Sequence, residues 1–164
     1  MFKAIALSAA LVIAPLGAEA SLAVGQKAPH FELKDLNGKL WTPEADSKHT
    51  LLLVDFWASW CVPCLKEIPT LKQLHAAHSQ GGRFKVLGIS MEKGGRPQTE
   101  AAAVKYDVDY PVLIGSADVA KAFGVQGFPS AVLIRDGKVL KVLVGERRLK
   151  DFEEELAPYW AKDR

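Results

Sequence analysis

Residues 51–71 read LLLVDFWASWCVPCLKEIPTL, and this stretch decides the fold. It opens with an apolar run, Leu51 to Trp57, interrupted by one acid, Asp55. A short run that is apolar at nearly every position, with no alternation, is the pattern of a strand covered on both faces. Ala58-Ser59-Trp60 makes a bend. Cys61 and Cys64 follow, the only two cysteines in the chain. Leu65, Ile68 and Leu71 then repeat at helical spacing. The cysteines therefore stand where a strand hands over to a helix. The first turn of a helix carries N–H groups without partners and a partial positive charge. A thiolate held there is stabilised and becomes a nucleophile near neutral pH. With Cys61 as the N-cap, Cys64 is the third helical residue, and its sulfur is within reach of the first.

The chain has 164 residues, 49% of them hydrophobic, which suits one globular domain with a sizeable core. A net charge of +2 argues for no nucleic-acid partner. The densest basic pair, Arg147-Arg148, reads as an ordinary solvated face. Residues 1–20, MFKAIALSAALVIAPLGAEA, have the form of a secretory signal. Lys3 supplies the charged start, Ala4 to Leu16 the apolar stretch, and Ala18-Glu19-Ala20 the small-x-small cleavage site. The expected division is a signal peptide over 1–20 and one domain over 21–164, with an uncleaved membrane anchor as the alternative for the leader. Export makes cysteines structural by default. A C-x-x-C loop, however, is too short to remove much unfolded-chain entropy, so its spacing favours redox chemistry. A zinc site would need His75 and His78 as the second ligand pair. Their expected place is the solvated side of the helix.

The rest of the chain falls into alternating elements. Phe31 to Trp41, around Asn37-Gly38, predicts an N-terminal hairpin, and Pro43 to His49 a polar loop. Helices are expected over Val62–His78, kinked at Pro69, over Pro97–Tyr106, over Asp118–Phe123 and over Leu149–Ala161. Strands are expected over Phe84–Ser90, Val112–Ile114, Ser130–Arg135 and Lys138–Val144, the last two joined at Asp136-Gly137. The order hairpin, βα, βα, βα, hairpin, helix is that of an α/β sheet with parallel strands and an antiparallel edge.

Three features together resemble the thioredoxin-like superfamily: VDFWASWCVPC at 54–64, Gly127-Phe128-Pro129-Ser130 before an apolar strand, and the strand–Asp-Gly–strand–helix ending. CVPCLKEIP at 61–69, the leader and the segment 91–115 are similar to the TlpA/ResA/CcmG-type thiol-disulfide oxidoreductases. The likeness spans residues 25–162. It implies a thioredoxin-like α/β fold, with a central mixed sheet flanked by helices, an N-terminal β-hairpin and an insertion around 91–115. It also implies roles. Cys61 matches the exposed attacking cysteine and Cys64 the buried resolving one. Pro129 matches a cis-proline that helps to dock an extended substrate. Glu67 matches an acid near the active site, and Asp55 the buried acid of ordinary thioredoxins. Trp60 and Phe128 are candidates for the apolar apron that meets substrate, and Trp57 for the core. Proteins of the TlpA/ResA/CcmG type that the chain resembles often carry Asn at the Asp55 position. Here Asp55 and Glu67 occur together, so the sequence leaves open which handles protons. An acid inside an apolar strand has a raised pKa, which suits Asp55 to accept the Cys64 proton.

The implied reaction is attack by the Cys61 thiolate on a substrate disulfide, then attack by Cys64 on the Cys61 sulfur. It needs no metal or organic cofactor. The resemblance implies two partners, a disulfide-bearing protein as substrate and a membrane thiol-transfer protein as reductant. The expected location is periplasmic or otherwise extracytoplasmic, the expected state a monomer and the expected direction reduction, for example in cytochrome c maturation. Two rivals belong to other classes. A peroxiredoxin-type peroxidase needs Thr or Ser three residues before its cysteine, where this chain has Ala58. A Cu(I)-binding chaperone needs a further ligand, for which His30 or His49 is the candidate.

Overall fold

A computed structural model describes residues 22–160. The leader, and with it the signal-or-anchor expectation, lies outside the described residues. Two short strands, β1 (Leu33–Lys34) and β2 (Leu40–Trp41), form the N-terminal hairpin. Asp35 holds its turn: its carboxylate accepts from the Asn37 and Lys39 amides and from Trp41 Nε1, and these bonds hold its pKa low despite burial.

The main sheet has five strands in the order β5–β4–β3–β6–β7. They are β3 (Leu51–Trp57), β4 (Phe84–Ser90), β5 (Val112–Ile114), β6 (Ser130–Arg135) and β7 (Lys138–Val144). β3, β4 and β5 run parallel, β6 pairs antiparallel with β3, and β7 pairs antiparallel with β6. The order of expected elements is reproduced, and every residue of β3 is buried. Asp136 and Gly137 join β6 to β7 with φ of 50° and 70°. Two successive positive φ values match the twist of a two-residue hairpin, and Asp-Gly reaches them at low cost.

Side chains alternate across β3. Leu52, Val54 and Phe56 face a core with Phe31, Trp41 and Phe123, while Leu51 and Leu53 face Leu71, Leu74, Phe152 and Leu156. The second face is covered by α2 (Val62–His78), α3 (Arg96–Lys105) and α5 (Leu149–Trp160). The first is covered by the hairpin and by α4 (Ala117–Ala122), which Ser116 caps through the Val119 amide.

Two expectations are corrected. The stretch read as a polar loop begins with a single helical turn, α1 (Pro43–Asp46). Thr42 caps it by accepting from the Ala45 amide, and Pro43 sits at its first position, where a missing N–H costs nothing. Ser47 then ties this turn to the β6–β7 hairpin, its carbonyl accepting from Asp136 N and its hydroxyl from Gly137 N. His75 and His78 are likewise not on a solvated face. α2 packs between β4 and α5, so His75 Nδ1 accepts from the Val86 amide and His78 stacks on Trp160, bonded to Glu153. α2 itself runs unbroken through Pro69.

Candidate active site

β3 ends at Trp57, and the chain turns through Ala58–Trp60 into α2. Cys61 is the N-cap of that helix, and its Sγ accepts from the Cys64 amide at 3.2 Å. This is the arrangement expected from spacing alone: a donor that the helix leaves unused is aimed at the sulfur that must carry charge. Cys61 and Cys64 are joined as a disulfide. The pair is less open than the resemblance implied. Cys61 is 6% exposed and Cys64 2%, so the first is only marginally the more accessible. Both pack with Trp57, Ile68 and Phe128 in one apolar cluster. Around them, Trp60 and Val62 are the exposed apolar groups, and the Trp60 ring meets the Phe128 ring edge-on at 5.4 Å.

The Phe128–Pro129 bond is cis, as the resemblance implied. β6 starts at Ser130, opposite Phe56, so Pro129 lies level with the end of β3 beside the mouth of α2. The loop after β7 fastens this corner. Gly145 N donates to the Pro129 carbonyl at 2.9 Å, and Arg147 N donates to Glu67 Oε1 at 2.7 Å. Arg147 is therefore not the solvated residue expected from sequence. Its guanidinium is held by Glu155 and by the carbonyls of Val144 and Gly145. Arg148 is solvent-facing and pairs with Asp151. On the other side of the bend, the Glu92 carboxylate accepts from the Ser59 amide.

Behind the cysteines lie two buried acids. Glu67, 2% exposed, stands one turn beyond Cys64 on α2. Burial raises its pKa to about 7, opposed by the Arg147 amide and charge and assisted by Glu146. Asp55, 1% exposed, points to the same side of β3 as Leu51, Leu53 and Trp57. Burial, and then the nearby Glu67 charge, push its pKa well above the ordinary carboxylate range. Its neighbours across the sheet are Gly88 and Ala131, the two smallest side chains available, so the sheet is thin beside it. Asp55 Oδ1 is buried without a hydrogen-bond partner, as are Trp57 Nε1 and Tyr110 Oη. Leaving such a group unsatisfied costs about 1–3 kcal/mol.

Sequence reasoning missed Tyr110 and Gly88. A glycine inside an otherwise apolar strand was the available signal, since it marks a close approach of another group. A Cβ at Gly88 would lie 2.9 Å from Trp57 Nε1 and 3.0 Å from Tyr110 Cε2.

The comparisons with known proteins agree with this geometry. A model of the AhpC/TSA family matches residues 24–142. The chain belongs to that family. Among curated relatives of this AhpC/TSA member, the thiol-disulfide oxidoreductase ResA of Bacillus thuringiensis subsp. konkukian is 31% identical over 144 residues, covering 84% of this chain and 79% of its own. The thioredoxin-like protein YneN of Bacillus subtilis is 28% identical over 139 residues, covering 84% and 81%. Among solved structures, the thioredoxin domain of a thiol-disulfide oxidoreductase from Bacteroides vulgatus superposes with a TM-score of 0.72 at 26% identity, covering 85% of this chain and 99% of that one. A thiol:disulfide interchange protein of the thioredoxin family from Chlorobium tepidum gives 0.70 at 27%, covering 83% and 97%. The fold is thioredoxin-like and the protein is a thiol-disulfide oxidoreductase.

Proposed function

We propose that this oxidoreductase is exported by its leader, residues 1–20, and reduces disulfides in proteins of the cell envelope. The observation that carries the mechanism is the cap: Cys61 Sγ, bonded to Cys64, accepts the Cys64 amide at the open end of α2. In the reduced protein that donor stabilises a Cys61 thiolate, which attacks a substrate sulfur and forms a mixed disulfide. Cys64 then loses its proton, attacks Cys61 Sγ and expels the second substrate sulfur as thiolate. Electrons pass from the dithiol to the substrate, and Cys61–Cys64 is left oxidised. A membrane thiol-transfer protein returns it to the dithiol.

Of the two buried acids, Asp55 is the better acceptor for the Cys64 proton. Its Oδ1 has no other partner, whereas Glu67 Oε1 is committed to the Arg147 amide. A raised pKa also brings Asp55 toward that of a buried thiol, which favours transfer. Glu67 supplies the charge that helps to hold it there. An extended substrate segment lies against Trp60, Phe128 and Pro129, and the protein works as a monomer. An apocytochrome c cysteine pair is one such substrate; copper-delivery proteins and misoxidised envelope proteins are others.

Neither rival gains support. His49 precedes β3, at the end remote from the cysteines, and seven strand residues put it about 20 Å away. His30 is engaged with Glu44. For a peroxidase, Ala58 offers no hydroxyl three residues before Cys61.

The test is reduction of insulin disulfides by dithiothreitol-driven protein, together with capture of envelope proteins. Cys61→Ser abolishes turnover, and Cys64→Ser accumulates mixed disulfides through Cys61. Normal turnover by Cys61→Ser would reverse the assignment of attacker.

A further inference from the structure

The turn that delivers Cys61 to α2 is held from outside itself. Ala58 to Cys61 close a hydrogen-bonded turn, with Cys61 N donating to the Ala58 carbonyl at 3.1 Å. That bond leaves the amide of Ser59, the second residue of the turn, to find a partner elsewhere. Its partner is the carboxylate of Glu92, which arrives from the loop after β4. The sheet brings it there. Trp57 and Ser90 are partners at the ends of β3 and β4, and Met91 N donates to the Trp57 carbonyl just beyond them. The root of the Glu92 loop is fastened on two further sides. Gly115 N donates to the Ser90 carbonyl, and Gly115 fits so closely that a Cβ would lie 2.5 Å from that oxygen. Ser90 Oγ is hydrogen-bonded to Thr99 Oγ1 on α3. Glu92 is thus a half-buried side chain on a fixed base, reaching one backbone N–H two residues before Cys61.

We propose that Glu92 is a positioning residue for Cys61, acting through the Ser59 amide. The inference rests on the attacking role given to Cys61 above. Cys61 is placed from two directions. On its helical side, Sγ accepts from Cys64 N and the carbonyl accepts from Leu65 N. On its other side stands the turn. A turn closed by one neutral hydrogen bond is weakly held, because water competes for both groups. A carboxylate acceptor makes a stronger bond. Glu92 therefore keeps Ala58–Cys61 in the shape that sets Cys61 Sγ against the Cys64 amide. Without it, Cys61 spends part of its time away from that donor, its thiolate is less stabilised, and the nucleophile is less well aimed. Trp60, the third residue of the same turn, loses its hold on the Phe128 ring as well. Glu92 takes no part in making or breaking the S–S bonds. Its charge works against its geometry, since an anion at the mouth of α2 opposes a thiolate there. Asp55 from β3 and Glu67 from α2 are the acids behind the pair, and Cys64 is the other thiol. All three stay in place when only Glu92 is changed, so their influence cancels between its variants.

The experiment separates geometry from charge. Glu92→Gln keeps an oxygen for the Ser59 amide and drops the charge, and Glu92→Ala drops both. Alkylation of the reduced protein by iodoacetamide is followed against pH, with Cys61→Ser and Cys64→Ser showing which thiol reacts first. Measured against Glu92→Gln, Glu92→Ala is expected to raise the Cys61 midpoint by about half to one unit. Glu92→Ala is also expected to slow insulin reduction about three- to tenfold, mainly through kcat, and Glu92→Gln to restore most of that loss. In parallel, the Ser59 amide resonance is expected to follow ionisation of the Glu92 carboxyl in the parent and to lose that dependence in Glu92→Gln. A role in overall stability alone would lower the denaturation midpoint of Glu92→Ala and leave its alkylation midpoint where Glu92→Gln has it. Coincident alkylation and rate profiles in the two variants overturn the positioning role. A Ser59 resonance indifferent to Glu92 overturns the hydrogen bond on which that role is built. A fast-reacting thiol that survives in Cys61→Ser overturns the attacking role itself, whatever the Glu92 variants do, and takes the positioning role with it.

Discussion

Glu67 shows what a buried acid does to a protein of this size. Its folded pKa of about 7 exceeds its ordinary 4.5, so between those values the folded state holds a proton that the unfolded state has lost. Stability therefore falls as pH rises through that window and stays low above it. A difference of this size corresponds to about 3 kcal/mol. Glu67→Gln keeps an oxygen for the Arg147 amide and removes the titration. Urea denaturation of the oxidised variant should give a flatter stability profile from pH 4.5 to 7, and a higher value than the parent at pH 8. A variant less stable than the parent at pH 8 would show that the carboxylate is satisfied. The same substitution removes the charge that helps raise Asp55, so the acid limb of the pH profile for Cys64 attack on a Cys61 mixed disulfide should move to lower pH. At the rim, Trp60 is 57% exposed and its ring meets that of Phe128 edge-on. Trp60→Ala is expected to raise KM for a protein disulfide about three- to tenfold, roughly 1 kcal/mol of contact, and to leave a small disulfide reagent unaffected. Equal losses on both substrates would assign Trp60 to the geometry of Cys61 instead.

The elements differ in how openly the sequence declared them. β3 and α2 were legible because their signals are local: an unbroken apolar run, a helical stripe, a cysteine where an N-cap belongs. The Asp136-Gly137 hairpin was legible for the same reason. α1 was not, since a four-residue turn has no periodicity and rests on the Thr42 cap, Pro43 and the Asp46 carboxylate. Nor were the positions of His75, His78 and Arg147, which are fixed by β4, α5 and Glu67, far away in sequence. Gly88 lies between these cases, its type visible and its neighbour hidden. Packing there is tight enough to predict from. An added methyl would come 2.9 Å from the Trp57 indole, closer than ordinary contact permits. Gly88→Ala should cost about 1–3 kcal/mol through displacement of Trp57 and Tyr110, read as a lower denaturant midpoint with an unchanged slope. A neutral Gly88→Ala would mean that the indole has room to turn aside.

For the whole molecule the decisive quantity is the reduction potential of Cys61–Cys64, because it sets the direction of electron flow. A dithiol becomes strongly oxidising when its surroundings stabilise the reduced, thiolate form. Here the surroundings do little of that. The hydrogen bond found at Cys61 Sγ is a single backbone N–H, and Cys64 is buried. The ionisable groups behind the pair are two carboxyls, Asp55 and Glu67, whose charge opposes a thiolate. Arg147, the cation beside Glu67, is already spent on Glu155 and two carbonyls. The potential should therefore fall near that of a thioredoxin, about −270 mV, and not near the −120 mV of a strong periplasmic oxidant. Equilibration with dithiothreitol buffers, read by tryptophan fluorescence, measures it directly, since Trp57 packs in the same cluster as both cysteines. Removing one carboxyl in Glu67→Gln should raise the value by about 10–30 mV at pH 7, on the scale where 30 mV is about 1.4 kcal/mol. A parent value near −120 mV would make the protein an oxidant, whatever its fold resembles.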